Sequence, residues 1–285
     1  MSSIMFQGVC SGAGKSTVTA LFCRYLAAKG KSVAPFKALN LSLNSFVTRD
    51  GKEMGMAQAF QAIACGIEPR VEMNPILLKP SGNGVIQLVL EGKPYANFGK
   101  GCESLPTGDL MKVVGKCYNK LLEEYDTIII EGSGSPAEIN LFEKDIANMR
   151  TAELAKAPVI LIGDIDRGGV FAALYGTYYL LNEHHKKMVR GFIINRFRGD
   201  PTILQPGIRE IEKKMRLPCL GVIPMIEFHI PQEDSLSLGS RKLFPKRVDD
   251  IRKIWISSLD NALLQIVSDL DMRGLSLILE KGLSC

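Results

Sequence analysis

Residues 4–17 read IMFQGVCSGAGKST, and this stretch decides the fold of the chain. The apolar residues 4–6 predict a short buried strand, a glycine-rich turn follows at 8–14, and Lys15 opens a helical pattern that continues to Leu26. A glycine turn between a strand and a helix directs several backbone N–H groups to one point, where the positive end of the helix dipole adds to them. The stretch therefore predicts a phosphate-binding loop.

The spacing within this loop departs from the usual form, GxxxxGK[ST]. Five residues separate Gly8 from Gly14, which leaves the part played by Gly8 open. Because GKST stands at a predicted strand–turn–helix junction, we favour a nucleotide site over a plain turn with an exposed lysine. We expect Lys15 at the β and γ phosphates and the Ser16 hydroxyl on Mg²⁺. The residues expected to hold the nucleotide are Gly12, Ala13, Gly14, Lys15, Ser16 and Thr17.

The composition is that of an ordinary globular protein. Of the 285 residues, 46% are hydrophobic and 23% are charged, and the formal net charge is +5. The basic residues form no stripe interleaved with stacking aromatic residues, so no nucleic-acid partner is expected. Every apolar run is shorter than the ~18 residues that a membrane span needs, so no membrane partner is expected either.

The cysteines and histidines argue against two further kinds of site. The seven cysteines form no CxxC pair, and such an odd, scattered set fits neither a zinc site nor a disulfide framework. We expect most of them to be small buried residues of a cytoplasmic protein, in a reducing compartment. His184, His185 and His229 lie away from every motif and are expected at the surface.

Strand and helix patterns alternate along most of the chain. This alternation predicts an α/β fold with a mostly parallel sheet flanked by helices and a short helical C-terminal tail. We place one domain at 1–235 and a linker with a helical tail at 236–285, with a loop at 97–106 and the basic linker at 241–253. The remaining predicted strands are 32–37, 85–92, 127–130, 159–162, 191–194 and 219–224, and the remaining predicted helices are 53–65, 110–124, 203–215 and 256–279, the last interrupted at Gly274.

The segment 126–141, DTIIIEGSGSPAEINL, is the second informative stretch. Its β-branched run at 127–130 is typical of a central parallel strand covered on both faces. Glu131 ends that strand at the edge where open α/β sheets bind ligands, so its carboxylate is a candidate Mg²⁺ ligand, with a salt bridge or an N-cap as the alternative. The serines of GSGSP do not fit GxSxG, which disfavours a serine esterase.

Polar side chains also follow the predicted strands 159–162 and 191–194. A surface ion pair is the usual outcome for an acid and an arginine placed in this way. Because the carboxyl ends of parallel strands meet at one edge of the sheet, we expect instead that these groups contribute to one site. They are Asp164, Asp166 and Arg167 after the first strand, and Asn195, Arg196 and Arg198 after the second.

Six separate blocks of sequence resemble one family, across about residues 4–240. The blocks are FQGVCSGAGKST, PFKALNLSLNSF, MNPILLKP, EGSGSPAEINL, DIDRGGVFA and INRFRGDP, in this order. They are similar to the synthetase domain of the cobyric acid synthases, dethiobiotin-synthetase-like P-loop amidoligases of cobalamin biosynthesis. The resemblance implies a P-loop NTPase fold, ATP and Mg²⁺ as cofactors, and amidation of peripheral carboxylates of a cobyrinic acid diamide, a corrinoid substrate.

The resemblance also implies roles for individual residues. Ser16 and Glu131 are the expected metal ligands, with Glu53, at the start of its predicted helix, as a weaker candidate. Asn195 resembles an asparagine that reads the adenine edge, and Lys37 lies where related synthetases keep a lysine near the phosphates. The turn 166–169 is expected to face the corrinoid. The expected substrate-binding residues are Asn40, Ser42, Asn44 and Arg198, and the expected catalytic residues are Lys15, Lys37, Asp166 and Arg167.

The family normally continues into a glutaminase domain that supplies ammonia, and this sequence ends first. We therefore expect a synthetase that uses free ammonia or a separate glutaminase subunit, or else a degenerate protein. A homodimer is left open as an arrangement.

Two other interpretations are carried forward. The enzyme alternative is a sibling ligase, either a cobyrinic acid a,c-diamide synthase or a dethiobiotin synthetase, although the Asn-rich block PFKALNLSLNSF disfavours both. The alternative from another class is a ParA- or MinD-like ATPase that switches partners through dimerisation. Those ATPases usually carry a second lysine early in the loop, where Gln7 and Val9 stand here.

Overall fold

The computed structural model describes residues 2–81, 84–99, 107–226 and 248–283, and strands and helices alternate along most of this length, as predicted. The strands are β1 (Ser2–Gly8), β2 (Val33–Phe36), β3 (Leu39–Leu41), β4 (Ser45–Val47), β5 (Glu53–Gly55), β6 (Ile76–Pro80), β7 (Ile86–Leu90), β8 (Lys93–Phe98), β9 (Thr127–Glu131), β10 (Val159–Asp164), β11 (Val189–Phe197) and β12 (Cys219–Pro224). The helices are α1 (Lys15–Ala28), α2 (Met56–Ala64), α3 (Thr107–Glu124), α4 (Met149–Ala155), α5 (Val170–Leu180), α6 (Glu183–Lys186), α7 (Gln205–Met215), α8 (Val248–Ile266) and α9 (Met272–Lys281).

The chain folds into two compact units, called here the first unit and the second unit. The first unit consists of residues 1–19, 129–227 and 262–285, and the second consists of 20–128 and 228–261. The domain boundary predicted between 235 and 236 lies outside the described residues, so the separation of a tail from the main domain stays a prediction.

The first unit is built on a sheet of parallel strands. β1 pairs with β10, β10 with β11 and β11 with β12, all in parallel, and the strand order is β12, β11, β10, β1, β9. Every residue of β10 is buried, as is typical of a parallel strand covered on both faces. Because parallel strands end on the same edge of the sheet, the segments that follow β1, β10 and β11 meet there. This edge carries the candidate site.

The second unit contains a smaller, mixed sheet. Its order is β3, β6, β7, β8, with β3 parallel to β6 and the other pairs antiparallel, and β4 and β5 form a separate hairpin. β8 extends into the predicted loop 97–106, of which 100–106 lies outside the described residues. Edge-on aromatic pairs lie in the core of this unit: Phe36 with Tyr118 at 5.5 Å and Phe60 with Trp255 at 5.2 Å between ring centres.

The helix predicted at 53–65 begins later, at Met56. Residues Glu53–Gly55 form β5 instead, and Met54 lies opposite Phe46 of β4. The apolar spacing that suggested a helix continues through both elements, so periodicity did not locate the boundary between them. Glu53 therefore stands on a strand and not in a first helical turn.

The C-terminal helices also differ from the prediction. α8 begins at Val248, inside the predicted linker 241–253, and the earlier part of that segment lies outside the described residues. The break between α8 and α9 falls at 267–271 and not at Gly274, because the Asp271 carboxylate accepts the Gly274 N–H at 2.7 Å and caps α9. None of the described helices is long and apolar enough to cross a membrane.

His185 is buried, although the sequence suggested a surface position. Its Nε2 lies 2.8 Å from Glu153 Oε1, and its ring packs against Phe142 at 5.3 Å between centres. His184 is exposed as predicted, and His229 lies outside the described residues. The short helix α6 presents these two neighbours in different directions, which their sequence position alone does not reveal.

The described cysteines are all free thiols. Cys23 and Cys117 are buried, whereas Cys10, Cys65 and Cys219 are half-buried, so burial is less general than predicted. Burial raises the pKa of the Cys117 thiol to about 12 and that of the Cys219 thiol to about 11. Both thiols are therefore protonated at neutral pH, which makes them poor nucleophiles.

Candidate nucleotide site

The loop between β1 and α1 has the backbone shape of a phosphate cradle. Gly12 and Gly14 adopt φ angles of +75° and +95°, which residues with a Cβ rarely adopt. The N–H of Val18 donates to the Gly14 carbonyl at 3.0 Å and starts the hydrogen bonding of α1. The N–H groups of a first helical turn have no acceptor within their helix, so they are directed, with the positive end of the dipole, toward the loop.

The Lys15 side chain lies across this loop. It is buried, and its Nζ donates to the carbonyl oxygens of Cys10 at 3.0 Å and Gly134 at 2.9 Å. A buried ammonium group needs such partners. A Cβ on Gly8 would lie 2.8 Å from Lys15 Nζ, so the glycine at the end of β1 makes room for the lysine. This answers the question that the irregular spacing of the motif raised about Gly8.

Ser16 and Glu131 are in direct contact. The Ser16 hydroxyl donates to Glu131 Oε1 at 2.8 Å, and Glu131 is fully buried at the end of β9. Hydroxyl and carboxylate oxygens are ligands that Mg²⁺ prefers, and at phosphate sites Mg²⁺ usually takes few ligands from the protein. The described residues include no group of three or more His, Cys, Asp or Glu that could hold a metal. The pair therefore fits a nucleotide-bound Mg²⁺ and not an all-protein metal site.

Asn195 contacts the loop from β11. Its side chain is buried, and its Nδ2 donates to the Ala13 carbonyl at 2.9 Å. A Cβ on Gly14 would lie 2.0 Å from the same Nδ2, so the amide occupies the space that glycine leaves. Asn195 thus holds the loop in place, and its contact with an adenine base stays a prediction.

The Asp164 carboxylate binds two arginines beside the loop, a role that was not predicted from the sequence. Its carboxylate is 1% exposed, and Oδ2 lies 2.8 Å from Arg196 Nη1 and 3.5 Å from Arg167 Nε. A Cβ on Gly12 would lie 3.0 Å from Arg167 Nη2, so this guanidinium lies against the phosphate-binding loop. Arg196 has a φ of +63°, which costs free energy in any residue with a Cβ. The signal in the sequence was the position of Asp164 at the end of β10, where it lies opposite Asn195 of the neighbouring strand β11.

Asp166 and Arg198 form a second ion pair nearby. Arg198 Nε lies 3.0 Å from Asp166 Oδ1, and both side chains are exposed. The Asp166 N–H donates to Asp164 Oδ1 at 3.0 Å, which ties this turn to the buried carboxylate. An exposed pair of this kind contributes at most about 1 kcal/mol to stability, so a ligand can displace it at small cost.

The first unit therefore brings together most of the predicted site. Thr17 lies half-buried in the first turn of α1. The predicted residues within this unit are Gly12, Ala13, Gly14, Lys15, Ser16, Thr17, Glu131, Asp166, Arg167, Asn195 and Arg198.

The other predicted residues belong to the second unit, where their roles stay predictions. Lys37 follows β2, is buried, and donates its backbone N–H to the Met73 carbonyl at 2.9 Å. Asn40 is also buried, and its Nδ2 donates to Gln58 Oε1 at 3.1 Å.

The other three predicted residues of the second unit, Ser42, Asn44 and Glu53, are held by local contacts. The Ser42 hydroxyl donates to the Asn44 carbonyl at 2.9 Å, which closes a short turn. The Glu53 carboxylate lies 2.6 Å from Lys79 Nζ, and this hydrogen bond lowers the pKa of Glu53. The Glu53 carboxylate thus forms an ion pair within the second unit.

Most of the sequence, including the phosphate-binding loop, matches a known family. Residues 4–234 match the family described as the CobQ/CobB/MinD/ParA nucleotide binding domain, and this match covers more than half of the chain. The chain belongs to this family. Membership of the CobQ/CobB/MinD/ParA family accords with the parallel sheet, the glycine loop and the lysine that the first unit displays.

Among members of the CobQ/CobB/MinD/ParA family, relatives named cobyric acid synthase are similar to this chain. The "Probable cobyric acid synthase" of Methanosarcina mazei is 52% identical over 240 residues, covering 84% of this chain and 49% of the relative. The "Cobyric acid synthase" of Carboxydothermus hydrogenoformans is 50% identical over 261 residues, covering 91% and 52%. The chain spans about half the length of the curated relatives that it matches.

A solved structure supports the fold independently. The pNOB8 ParA, determined bound to nonspecific DNA, superposes with a TM-score of 0.50 at 15% identity and covers 98% of both chains. At this identity the likeness concerns the fold alone. The predicted P-loop NTPase fold is confirmed.

Proposed function

We propose that this chain is an ATP-dependent amidoligase of cobalamin biosynthesis, which converts peripheral carboxylates of (adenosyl)cobyrinic acid a,c-diamide into carboxamides on the way to cobyric acid. The observation that carries the proposal is the arrangement of Lys15 across the glycine loop together with the Ser16–Glu131 contact. Relatives named cobyric acid synthase, at 50–52% identity, support the choice of substrate class.

The reaction requires activation of a carboxylate, which is a poor electrophile. Transfer of the γ-phosphoryl group from ATP to a carboxylate oxygen forms an acyl phosphate and releases ADP. Ammonia then attacks the acyl carbon, a C–N bond forms, the C–O bond to phosphate breaks, and the nitrogen loses a proton. Phosphoryl transfer asks little covalent chemistry of the protein, so positioning and charge stabilisation account for most of the catalysis.

The first unit supplies groups suited to these two tasks. The Lys15 ammonium and the loop amides would bind the phosphates, and Arg167 lies against the same loop. Ser16 and Glu131 would hold Mg²⁺, which neutralises phosphate charge when it is bound. Asn195 fixes the loop through the Ala13 carbonyl and would also read the adenine edge.

The corrinoid carboxylates need cationic and amide groups, and two sets of residues offer them. Arg198 and Asp166 are exposed in the first unit, where a guanidinium can bind a carboxylate through two parallel hydrogen bonds. In the second unit we assign Asn40, Ser42 and Asn44 to the corrinoid. Lys37 is assigned to the phosphates, and Glu53 stays the weaker metal candidate because its carboxylate already binds a lysine.

A product assay tests the proposal directly. The purified chain is incubated with ATP, Mg²⁺, adenosylcobyrinic a,c-diamide and either ammonium or glutamine, and the corrinoid is followed by mass spectrometry. We expect stepwise replacement of carboxyl groups by carboxamides when ammonium is present. Product with glutamine only after addition of a glutaminase would indicate a separate subunit as the ammonia source.

The same assay separates the alternatives. Cobyrinic acid as the preferred substrate would indicate an a,c-diamide synthase, and formation of dethiobiotin from diaminopelargonic acid when bicarbonate replaces the nitrogen source would indicate a dethiobiotin synthetase. Nucleotide-dependent dimerisation with no amide product from any acid would favour a ParA- or MinD-like ATPase and would contradict the ligase proposal.

A further inference from the structure

The segment that follows β9 carries two contacts of the candidate site. Glu131, at its start, accepts the Ser16 hydroxyl at 2.8 Å. Three residues later the Gly134 carbonyl accepts a hydrogen bond from Lys15 Nζ at 2.9 Å. The conformation of the short stretch between them therefore affects both the lysine and the metal-ligand candidate.

One buried side chain fixes that stretch. Asn148, which is 6% exposed, accepts the Ser133 N–H on Oδ1 at 3.0 Å and donates from Nδ2 to the Ser133 carbonyl at 2.7 Å. The same Nδ2 lies 3.4 Å from the Ser135 carbonyl. The amide thus binds both the N–H and the C=O of one residue, much as a neighbouring strand does, and leaves that residue little freedom to rotate.

Asn148 is itself held in place by a hydrogen bond to Asp145. Asp145 Oδ1 accepts the backbone N–H of Asn148 at 2.9 Å and that of Ala147 at 3.1 Å, just before α4 begins. A Cβ on Gly132 would lie 2.4 Å from Asn148 Oδ1, so the glycine after Glu131 is required for the amide to approach. Hydrogen bonds from Asn148 to Ser133 and from Lys15 to Gly134 therefore connect the start of α4 to the Lys15 ammonium through one short backbone stretch.

We infer that Asn148 is a positioning residue of the nucleotide site, which holds the 132–135 segment so that the Gly134 carbonyl and the Glu131 carboxylate face Lys15 and Ser16. Asn148 touches neither the nucleotide nor the metal in this account and acts through the backbone. The inference rests on the proposed function only in taking nucleotide and Mg²⁺ as the ligands. Groups that orient metal ligands in this way typically change metal affinity or activity 10- to 100-fold when they are removed.

The test replaces Asn148 with aspartate, which has the same shape. Asn148→Asp keeps the acceptor for the Ser133 N–H but loses the donor and places a negative charge against two carbonyl oxygens. The probe is the non-hydrolysable analogue AMP-PNP, titrated by calorimetry at several Mg²⁺ concentrations without corrinoid. We expect at least about tenfold weaker AMP-PNP binding, and a higher Mg²⁺ concentration at half-saturation, than in the wild type.

The matched control lies on α4, the helix that follows Asn148. The buried Thr151 hydroxyl donates to the Ile146 carbonyl at 2.5 Å, and this hydrogen bond does not involve the 132–135 segment. Thr151→Val removes one buried hydrogen bond, and we expect a lower Tm with AMP-PNP and Mg²⁺ affinities equal to those of the wild type. A change in affinity in this control as large as that in Asn148→Asp would overturn the inference, because general destabilisation would then explain both.

A second variant disturbs the contact between Asn148 and the 132–135 segment by a change within that segment. Gly132→Ala adds a methyl group that displaces the Asn148 amide. The variant leaves the Lys15 and Glu131 side chains chemically unchanged. We expect the same loss of AMP-PNP and Mg²⁺ affinity. Wild-type affinity in Gly132→Ala overturns the inference, even if Asn148→Asp fails to fold. Failure of the wild type itself to bind AMP-PNP would instead contradict the proposed function.

Discussion

At the scale of single residues, the site is centred on a buried ammonium group. Lys15 is 7% exposed, and a cation so little hydrated is stabilised only by close acceptors. Its hydrogen bonds to the Gly134 and Cys10 carbonyls, at 2.9 and 3.0 Å, meet part of this need. Phosphate oxygens are charged and make stronger hydrogen bonds than carbonyl oxygens do, so the ammonium group gains when a nucleotide binds.

Replacement of Lys15 by methionine removes the charge and keeps much of the volume. For Lys15→Met we expect turnover to fall by about 10²–10³-fold or more, because a preorganised charge at the phosphates is lost. The folded state should persist, since the affected carbonyls belong to loops. The rate of ADP release and the Tm are measured together, with Lys213→Met, at an exposed position on α7, as the control. Wild-type turnover in Lys15→Met would contradict the assignment of the loop between β1 and α1 as the phosphate-binding loop.

Residues of the site differed in how far the sequence revealed them. Lys15 and Ser16 were predictable because the glycine loop is a local motif in which consecutive residues have fixed positions. Glu131 was predictable as the residue after a buried strand. Asn148 was not, because its contact with Ser133 joins residues 15 positions apart and depends on how α4 meets the loop after β9. The position of Asp164 at the edge of the sheet was predictable, but its contacts with Arg167 and Arg196 were not.

At the scale of elements, the loop between β1 and α1 depends on glycine for two different reasons. Gly14 has a φ of +95°, which strains any other residue, and it leaves space that the Asn195 amide occupies. Gly66, after α2, has a φ of +75° but would place a Cβ in open space. The comparison of these two positions separates backbone strain from the contact with Asn195.

We expect Gly14→Ala to lower the free energy of unfolding by about 1–3 kcal/mol and to abolish nucleotide binding, because both the loop and Asn195 must move. Gly66→Ala should cost about 1 kcal/mol and leave nucleotide affinity unchanged. Chemical denaturation and AMP-PNP titration of both variants provide the measurements. Equal nucleotide affinities in the two variants would show that the close contact between Gly14 and Asn195 is not needed for nucleotide binding.

Elements with continuous apolar runs were the easiest to predict. β9 and β10 appeared as β-branched stretches because strands of a parallel sheet are buried on both faces. The short strands before α2 were not predictable, since Glu53–Gly55 becomes a strand only through pairing with β4. The start of α8 was also not predicted, because the basic residues Arg252 and Lys253 indicated a linker although they lie within the helix.

At the scale of the whole molecule, nucleotide binding is linked to folding. A ligand that binds only the folded chain adds about 2.7 kcal/mol of stability at a concentration 100 times its Kd. We therefore expect saturating ATP with Mg²⁺ to raise the Tm by several degrees, and EDTA to reverse most of that rise because it removes the Mg²⁺ that we propose for Ser16 and Glu131. Thermal unfolding followed by circular dichroism measures both effects. A rise that EDTA leaves untouched would contradict the metal assignment.

The organisation of the whole chain was the least predictable level. The chain divides into two compact units that each draw on separate segments, which the sequence did not reveal, and the predicted domain at 1–235 stays a prediction because its boundary lies outside the described residues. The first unit alone uses three such segments, and discontinuity of this kind depends on long-range pairing that composition does not record. The predicted P-loop fold, by contrast, follows from the alternation of strands and helices and is confirmed.

The central claim is that the chain passes the γ-phosphoryl group of ATP to a corrinoid carboxylate. Its most direct test uses adenosylcobyrinic a,c-diamide labelled with oxygen-18 in its carboxylates, incubated with ATP, Mg²⁺ and ammonium. We expect one labelled oxygen in the inorganic phosphate for every carboxamide formed, because the bridging oxygen of the acyl phosphate leaves with the phosphate. Carboxamide formation with unlabelled phosphate, or ATP hydrolysis with no carboxamide at all, would contradict it.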